Sequence, residues 1–202
     1  MSNVIAAVFT VVYLSFVLWH CRSFRFHTRA LCCGAISGAM TMVLSCIYLP
    51  LPTGASISLG SWLPLMVLAL CYDDRLAMIT GLLCGMAAPF VLPGWSLVHW
   101  AQYFLEYMTI FSCMGFAGLF GYEKKGKLIL GALIAISLRF WAQVLSGVVF
   151  FGQYAWEGFS AWGYSLLFHL SGKVPEGILT VAVLLALPMD RLSRSVKRGN
   201  KK

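Results

Sequence analysis

Apolar residues run almost unbroken through seven stretches of the chain, at about 3–20, 29–49, 59–72, 75–92, 99–121, 127–151 and 162–189. A helix needs roughly 20 such residues to cross the hydrocarbon layer of a membrane, so the pattern predicts seven membrane helices. The third stretch is short and the last is interrupted by Lys173, Pro175 and Glu176. The count falls to six if one of these is re-entrant. The first stretch has neither a basic lead nor an A-x-A-like cleavage site, so it reads as a retained helix rather than a removed signal.

Composition agrees with the pattern. Of 202 residues, 60% are hydrophobic and 11% charged, and the mean hydropathy is +0.82, values that exclude an ordinary soluble domain. The net charge of +8 would raise nucleic acid as a partner in a soluble protein, but here 13 of the 15 Lys and Arg lie in alternate connections and the tail: Arg22, Arg25 and Arg29; Arg75; Lys124, Lys125 and Lys127; then Arg191 onward. The intervening loops at 50–58, 93–98 and 152–161 hold none. The positive-inside rule then predicts a cytoplasmic C-terminus and, with seven crossings, an N-terminus outside. The expected partner is the lipid bilayer, with no nucleic acid. Seven scattered Cys without a CxxC pair read as small core residues, neither a disulfide framework nor a zinc site.

The cation-free loops are rich in aromatics and turn formers, as in Pro50-Leu-Pro-Thr-Gly54, Pro93-Gly-Trp95 and Phe151-Gly-Gln-Tyr-Ala-Trp-Glu-Gly-Phe159. Part of this is the interfacial aromatic belt. Three such loops on one face of a bundle also suit a lidded pocket for a small planar molecule.

Within the spans, the exceptions to apolarity are Glu106, Arg139, Gln143, His169, Lys173 and Glu176. An ionisable group near mid-bilayer costs on the order of 3 kcal/mol on insertion scales and must find a partner or face the interior. Glu106, about two turns below the outer helix end, suits a cationic ligand or an ion pair with Arg139 or Lys173. Arg139 suits a structural partnership with a carboxylate or with helix-end carbonyls. Lys173 and Glu176, at i and i+3, can neutralise each other, and Pro175 between them should disturb the helix locally. Gln143, Gly147 and Phe151 form a column on one helix face. Tyr164 and His169, five apart, lie only roughly on one side, and His169 reads equally as a core histidine.

Small residues form stripes at Gly34/Gly38, Ala35/Ala39 and Gly81/Gly85. These permit close helix approach, within the chain or against a partner subunit. Gly121-Tyr-Glu-Lys-Lys-Gly126-Lys127 imitates a phosphate loop, but Leu128 replaces the required hydroxyl residue and no strand precedes it. No metal cluster, cofactor motif or nucleophile–base pair is evident, so no catalysis is expected. A membrane-embedded enzyme using Glu106 and His169 as acid and base is the alternative from another class, and a purely structural assembly subunit is a third.

From Gly54 to Glu176 the chain resembles the thiamine-specific substrate-binding subunits, the S components, of energy-coupling factor transporters. The matching blocks are Gly54-Ala-Ser-Ile-Ser-Leu-Gly60 with Leu63-Pro64, Gln102-Tyr-Phe-Leu-Glu-Tyr107, Arg139-Phe140, Ser146-Gly-Val-Val-Phe-Phe-Gly-Gln-Tyr154-Ala155, Trp162-Gly-Tyr-Ser165 and Pro175-Glu176. The resemblance implies an all-α integral membrane protein: a six-helix bundle over residues 29–190, to which this chain adds an N-terminal transmembrane helix and basic loop (1–28) and a basic tail (191–202). It implies thiamine held under the loop at 50–58; a pyrimidine or thiazole precursor is the alternative that the departures at Gln143, Phe151 and His169 allow, and no cofactor is expected. Glu106 and Tyr107 match the family's Glu-Tyr pair, the carboxylate addressing the aminopyrimidine, and Tyr164 matches a pocket tyrosine. Gln143, Phe151 and His169 stand where the family usually has histidine, tryptophan and asparagine. The implied partners are a membrane scaffold subunit, contacted through Ala35 and Ala39, and two cytoplasmic ATPases.

Overall fold

The computed structural model describes residues 2–58, 60–93 and 97–197. Gly94, Trp95 and the tail cations Arg198, Lys201 and Lys202 lie outside them. The described residues form helices α1 (Ser2–Cys21), α2 (Thr28–Ser45), α3 (Leu63–Cys71), α4 (Asp74–Val91), α5 (100–118), α6 (Lys125–Phe150), α7 (Ala161–Ala186) and α8 (Met189–Lys197). A two-stranded antiparallel hairpin, β1 (Tyr48–Pro50) and β2 (Ser56–Ser58), joins α2 to α3.

The architecture is the all-α membrane protein expected, with α1, α2, α4, α6 and α7 each long and apolar enough to cross a membrane. Three elements depart from the sequence reading. The stretch expected as helix over 29–49 stops at Ser45, and Tyr48–Pro50 pairs as a strand in register with Ser56–Ser58; Pro50 lacks the N–H a helix interior needs. Gly54, at φ +83°, turns the hairpin, a backbone angle that costs glycine little. Helix α3 has nine residues, about 14 Å at 1.5 Å per residue, and all but Leu63 and Val67 are buried. Finally, part of the expected basic tail is helix α8, whose Met189 lies beneath α3 with its sulfur 3.8 Å from Cys71 Sγ.

Pro175 does not divide the last span: α7 runs through it without a break. Helix α5, by contrast, is irregular. After one α-turn it widens to a π-helix over Tyr103–Met108, returns to α over Thr109–Ser112 and tightens to a 3-10 helix over Cys113–Gly118.

The stripes of small residues separate by face. Gly34 and Gly38 of α2 face Thr80 and Cys84 of α4, while Ala35 and Ala39, about 100° further round the helix, are exposed. Gly81 and Gly85 press against backbone: a Cβ there would lie 2.4 Å from the Phe111 carbonyl oxygen and 2.3 Å from that of Tyr107. This seam fixes the height of Tyr107 against α4. Because no side-chain rotation relieves a clash with backbone, Gly85→Val should lower stability by about 2 kcal/mol or more, read as a reduced midpoint of thermal unfolding in detergent.

Candidate functional site

The glycine seam holds α5 so that its π-helical turn faces α6 and α7. There Glu106, Tyr107, Gln143, Phe151 and His169 line one cavity of about 300 Å³, closed by Gly54–Ser56 of the hairpin. Five of the six residues expected at the site therefore meet. Tyr164 does not line this cavity: its ring packs 5.1 Å from Trp156 and 5.8 Å from Phe168, so it backs the wall that Phe168 provides. It lies more than a turn before His169 and about 140° round the helix from it, the consequence of a five-residue spacing on a 3.6-residue helix.

Glu106 is half-buried and its partners are neutral. Gln102 Nε2 donates to its Oε2 at 3.0 Å, and Ser146 Oγ donates to the same oxygen at 2.6 Å. The Gln102 amide is itself fixed, since its oxygen accepts from the Val98 N–H at 2.9 Å. Among the described residues the salt bridges are His20–Asp74 and Lys173–Glu176, so no cation clamps Glu106. Two hydrogen bonds hold the carboxylate in place without cancelling its charge.

Arg139 is engaged elsewhere, by a backbone carbonyl as the second expectation for it allowed. Its Nη1 donates to the Ile110 carbonyl at 2.8 Å, and its guanidinium carbon lies 4.7 Å from the Trp62 ring centre and 5.7 Å from that of Phe111. These aromatic faces solvate the cation where water is absent. The Ile110 carbonyl belongs to the short α-helical piece of α5 that follows the π turn.

Two cavity-lining acceptors have no hydrogen-bond partner among the described residues: Gln143 Oε1 and His169 Nδ1. The His169 ring is seated against the Gln143 backbone. It fits there because Gly147 has no side chain; a Cβ at Gly147 would approach His169 Nε2 at 3.3 Å and Ser165 Oγ at 2.3 Å. Arg139 and Lys173 also line the cavity but are engaged with the Ile110 carbonyl and with Glu176, so the groups left to a ligand are a carboxylate, an amide oxygen and a ring nitrogen, a set that favours hydrogen-bond donors.

The hairpin is tied to α7 by polar contacts. Ser58 Oγ donates to Glu176 Oε1, Lys173 Nζ donates to the Ser56 carbonyl at 3.4 Å, and Thr53 Oγ1 lies 3.1 Å from Ser171 Oγ. Lys173 and Glu176 pair at 3.1 Å, as their spacing suggested. Lys173 and Arg139 also line a second cavity of about 230 Å³ on the hairpin, among Ser45, Tyr48, Ser58 and Ser61.

Sequence reasoning missed Gln102, Ser146 and Phe168 as parts of the site. Gln102 had a usable signal, four residues before Glu106 and so on the same helical face. Ser146 had none, because its contact spans 40 residues. Among the described residues no cluster of metal-ligating side chains is present.

Since Glu176 is buried and Lys173 is its half-buried partner, Lys173→Met should destabilise by about 3 kcal/mol, leaving a buried carboxylate uncompensated. The double change Lys173→Met, Glu176→Leu should cost less than Lys173→Met alone in the same unfolding measurement.

Comparison with known proteins gives a consistent result. Residues 31–195 match the family model described as thiamine transporter protein (Thia_YuaJ). The thiamine transporter ThiT of Bacillus subtilis (strain 168) is 31% identical over 169 residues, covering 77% of this chain and 87% of that protein. ThiT of Lacticaseibacillus paracasei is 31% identical over 166 residues, covering 74% and 82%. A solved structure of ThiT from Listeria monocytogenes superposes with a TM-score of 0.67 at 27% identity, covering 81% of this chain and 96% of that one. These are transporters rather than enzymes. The chain, a multi-pass helical membrane protein, belongs to the thiamine transporter family.

Proposed function

We propose that this protein captures thiamine from outside the cell and delivers it inward when coupled to an energy-coupling factor module, a membrane scaffold with two cytoplasmic ATPases. The observation that carries the capture step is a carboxylate held by neutral donors in a cavity whose two lining cations, Arg139 and Lys173, are engaged with the Ile110 carbonyl and with Glu176 instead. Thiamine offers a positively charged ring, an exocyclic amine and a hydroxyl, which complement that lining. Glu106 addresses the amine-bearing ring, with Tyr107 beside it. Phe151 gives a stacking face, and Gln143 Oε1 and His169 Nδ1 take the remaining donors. Tyr164 supports from behind Phe168.

Phe151 retains a ring face where the family usually has tryptophan. The loss of attraction to a cationic ring is roughly 0.5–1 kcal/mol on the cation–π scale. That lowers affinity several-fold and leaves recognition in place.

Delivery requires the receptor to move against its scaffold. The exposed Ala35/Ala39 face of α2 supports that role: its small residues permit close approach of another helix. The charge distribution supports a cytoplasmic C-terminus and an outside N-terminus, with the cavity at the outer side.

Titrating the intrinsic tryptophan fluorescence with thiamine and with its separate pyrimidine and thiazole halves tests the ligand. Thiamine should bind tightest, and thiamine no tighter than either half would defeat the assignment. Glu106→Gln should weaken thiamine by about 10- to 100-fold, the scale of one charged hydrogen bond at 1.5–3 kcal/mol. Ala35→Leu with Ala39→Leu should leave thiamine affinity unchanged and abolish ATP-driven uptake in vesicles containing the module; unchanged uptake would remove this face from the mechanism.

A further inference from the structure

Helix α1 lies outside the family match, which begins at residue 31, and nothing in the proposed mechanism uses it. Most of its surface faces lipid: Val4, Val8, Val11, Val12, Leu18 and Trp19 are all more than half exposed. Its buried face is narrow, consisting of Ala6, Tyr13 and Val17.

That face meets the bundle at the back of the candidate site. Ala6 forms one small buried cluster with Leu105 of α5 and Leu145 of α6. Leu105 immediately precedes Glu106, and Leu145 immediately precedes Ser146, the pair joined at 2.6 Å across the two helices. Two turns further on, Tyr13 Oη lies 2.7 Å from Ser112 Oγ. Ser112 donates its own proton to the Met108 carbonyl, so Tyr13 is the donor in that contact. Phe9 stacks on Tyr13, Tyr13 stacks on Phe116, and Phe16 packs tilted against the same ring. The far end of α1 is tied by His20 to Asp74 at 2.6 Å.

All these bundle contacts on α5 fall on its irregular stretch, between the π turn at Tyr103 and the 3-10 segment ending at Gly118. A π turn lacks the regular ladder of an α-helix and depends on its surroundings to hold its shape. On one side those surroundings are the glycine seam of α4. On the other they are α1, whose residues do not line the cavity.

We infer that α1 is a positioning element for the ligand site: by seating Ala6 against Leu105 and Leu145 and bonding Tyr13 to Ser112, it sets the spacing of α5 and α6 at which Ser146 reaches Glu106. This rests on the reading of the cavity as a ligand site, and it assigns α1 a part in affinity without any contact to ligand.

The test uses the full-length purified protein. Ala6→Leu wedges the notch, and Phe9→Ala loosens the same face should the first variant not fold. Each should speed hydrogen exchange of the backbone amides of 103–112 without ligand and weaken thiamine about ten-fold. If α1 acts through the Ser146–Glu106 contact, the same change made in a Ser146→Ala background should cost less than about two-fold, the non-additivity of coupled sites. Unchanged exchange and affinity, or losses that multiply in full across the two backgrounds, would overturn the inference. A wild-type protein that binds no thiamine, yet whose 103–112 exchange responds to Ala6→Leu, would defeat the thiamine reading and leave the positioning of α5 by α1 standing.

Discussion

A carboxylate held within a membrane bundle by neutral donors is the constraint around which the rest of this structure is arranged. A charge in such surroundings is costly unless its lone pairs are taken up. Gln102 and Ser146 take up one oxygen of Glu106, and each donor makes its own demand on the fold. Gln102 must be oriented, which the Val98 N–H does. Ser146 must be brought from another helix, which requires α5 and α6 to lie close. The π turn aims Glu106 at α6, and the glycine seam of α4 keeps α5 from retreating. A lysine or arginine at the same place would have satisfied the carboxylate more simply, and would have removed its attraction for a cationic ligand.

The chain treats its other buried charges in the opposite way. Lys173 and Glu176 neutralise each other on α7 and serve the hairpin, the one through the Ser56 carbonyl and the other through Ser58. Arg139 lies on aromatic faces and a backbone carbonyl. These charges are spent on architecture, and Lys173 borders the ligand cavity while also holding the hairpin above it. The cover over the cavity is therefore attached by a few polar contacts rather than by an apolar seal. Such a cover separates from the bundle without exposing a large apolar surface.

How much of this was legible in the sequence depended on range. The spans followed from runs of apolar residues, and the special status of Glu106 from the energetic cost of any carboxylate in such a run. Lys173 and Glu176 were readable because three residues on a helix are neighbours. The hairpin was not: Tyr48-Leu49-Pro50 is as apolar as the helix before it, and a short apolar run has no period that separates strand from helix. Nor was the π turn, since nothing in Tyr103–Met108 sets it apart from an ordinary helical stretch. Tyr164 was placed in the cavity by its matching motif alone, whereas the pitch of α7 turns it behind Phe168. The Ser146 contact with Glu106 could be found only in three dimensions.

Helix α2 shows why two overlapping stripes of the same kind need separate explanations. Gly34 and Gly38 are required by the distance to Thr80 and Cys84 of α4, where even a methyl group would be crowded. Ala35 and Ala39, one position along, are exposed. A helix facing only lipid has no need of small side chains, since lipid tails adapt to any apolar shape. Alanines there fit a surface that a second rigid body must approach closely. The same helix is thus fixed on one face to the bundle that holds the ligand and, on the mechanism proposed, meets the scaffold with the other. Movement against that scaffold would then carry the cavity with it as a unit, because the glycine contacts of α2 with α4, and of α4 with α5, are too close for the intervening helices to slide independently.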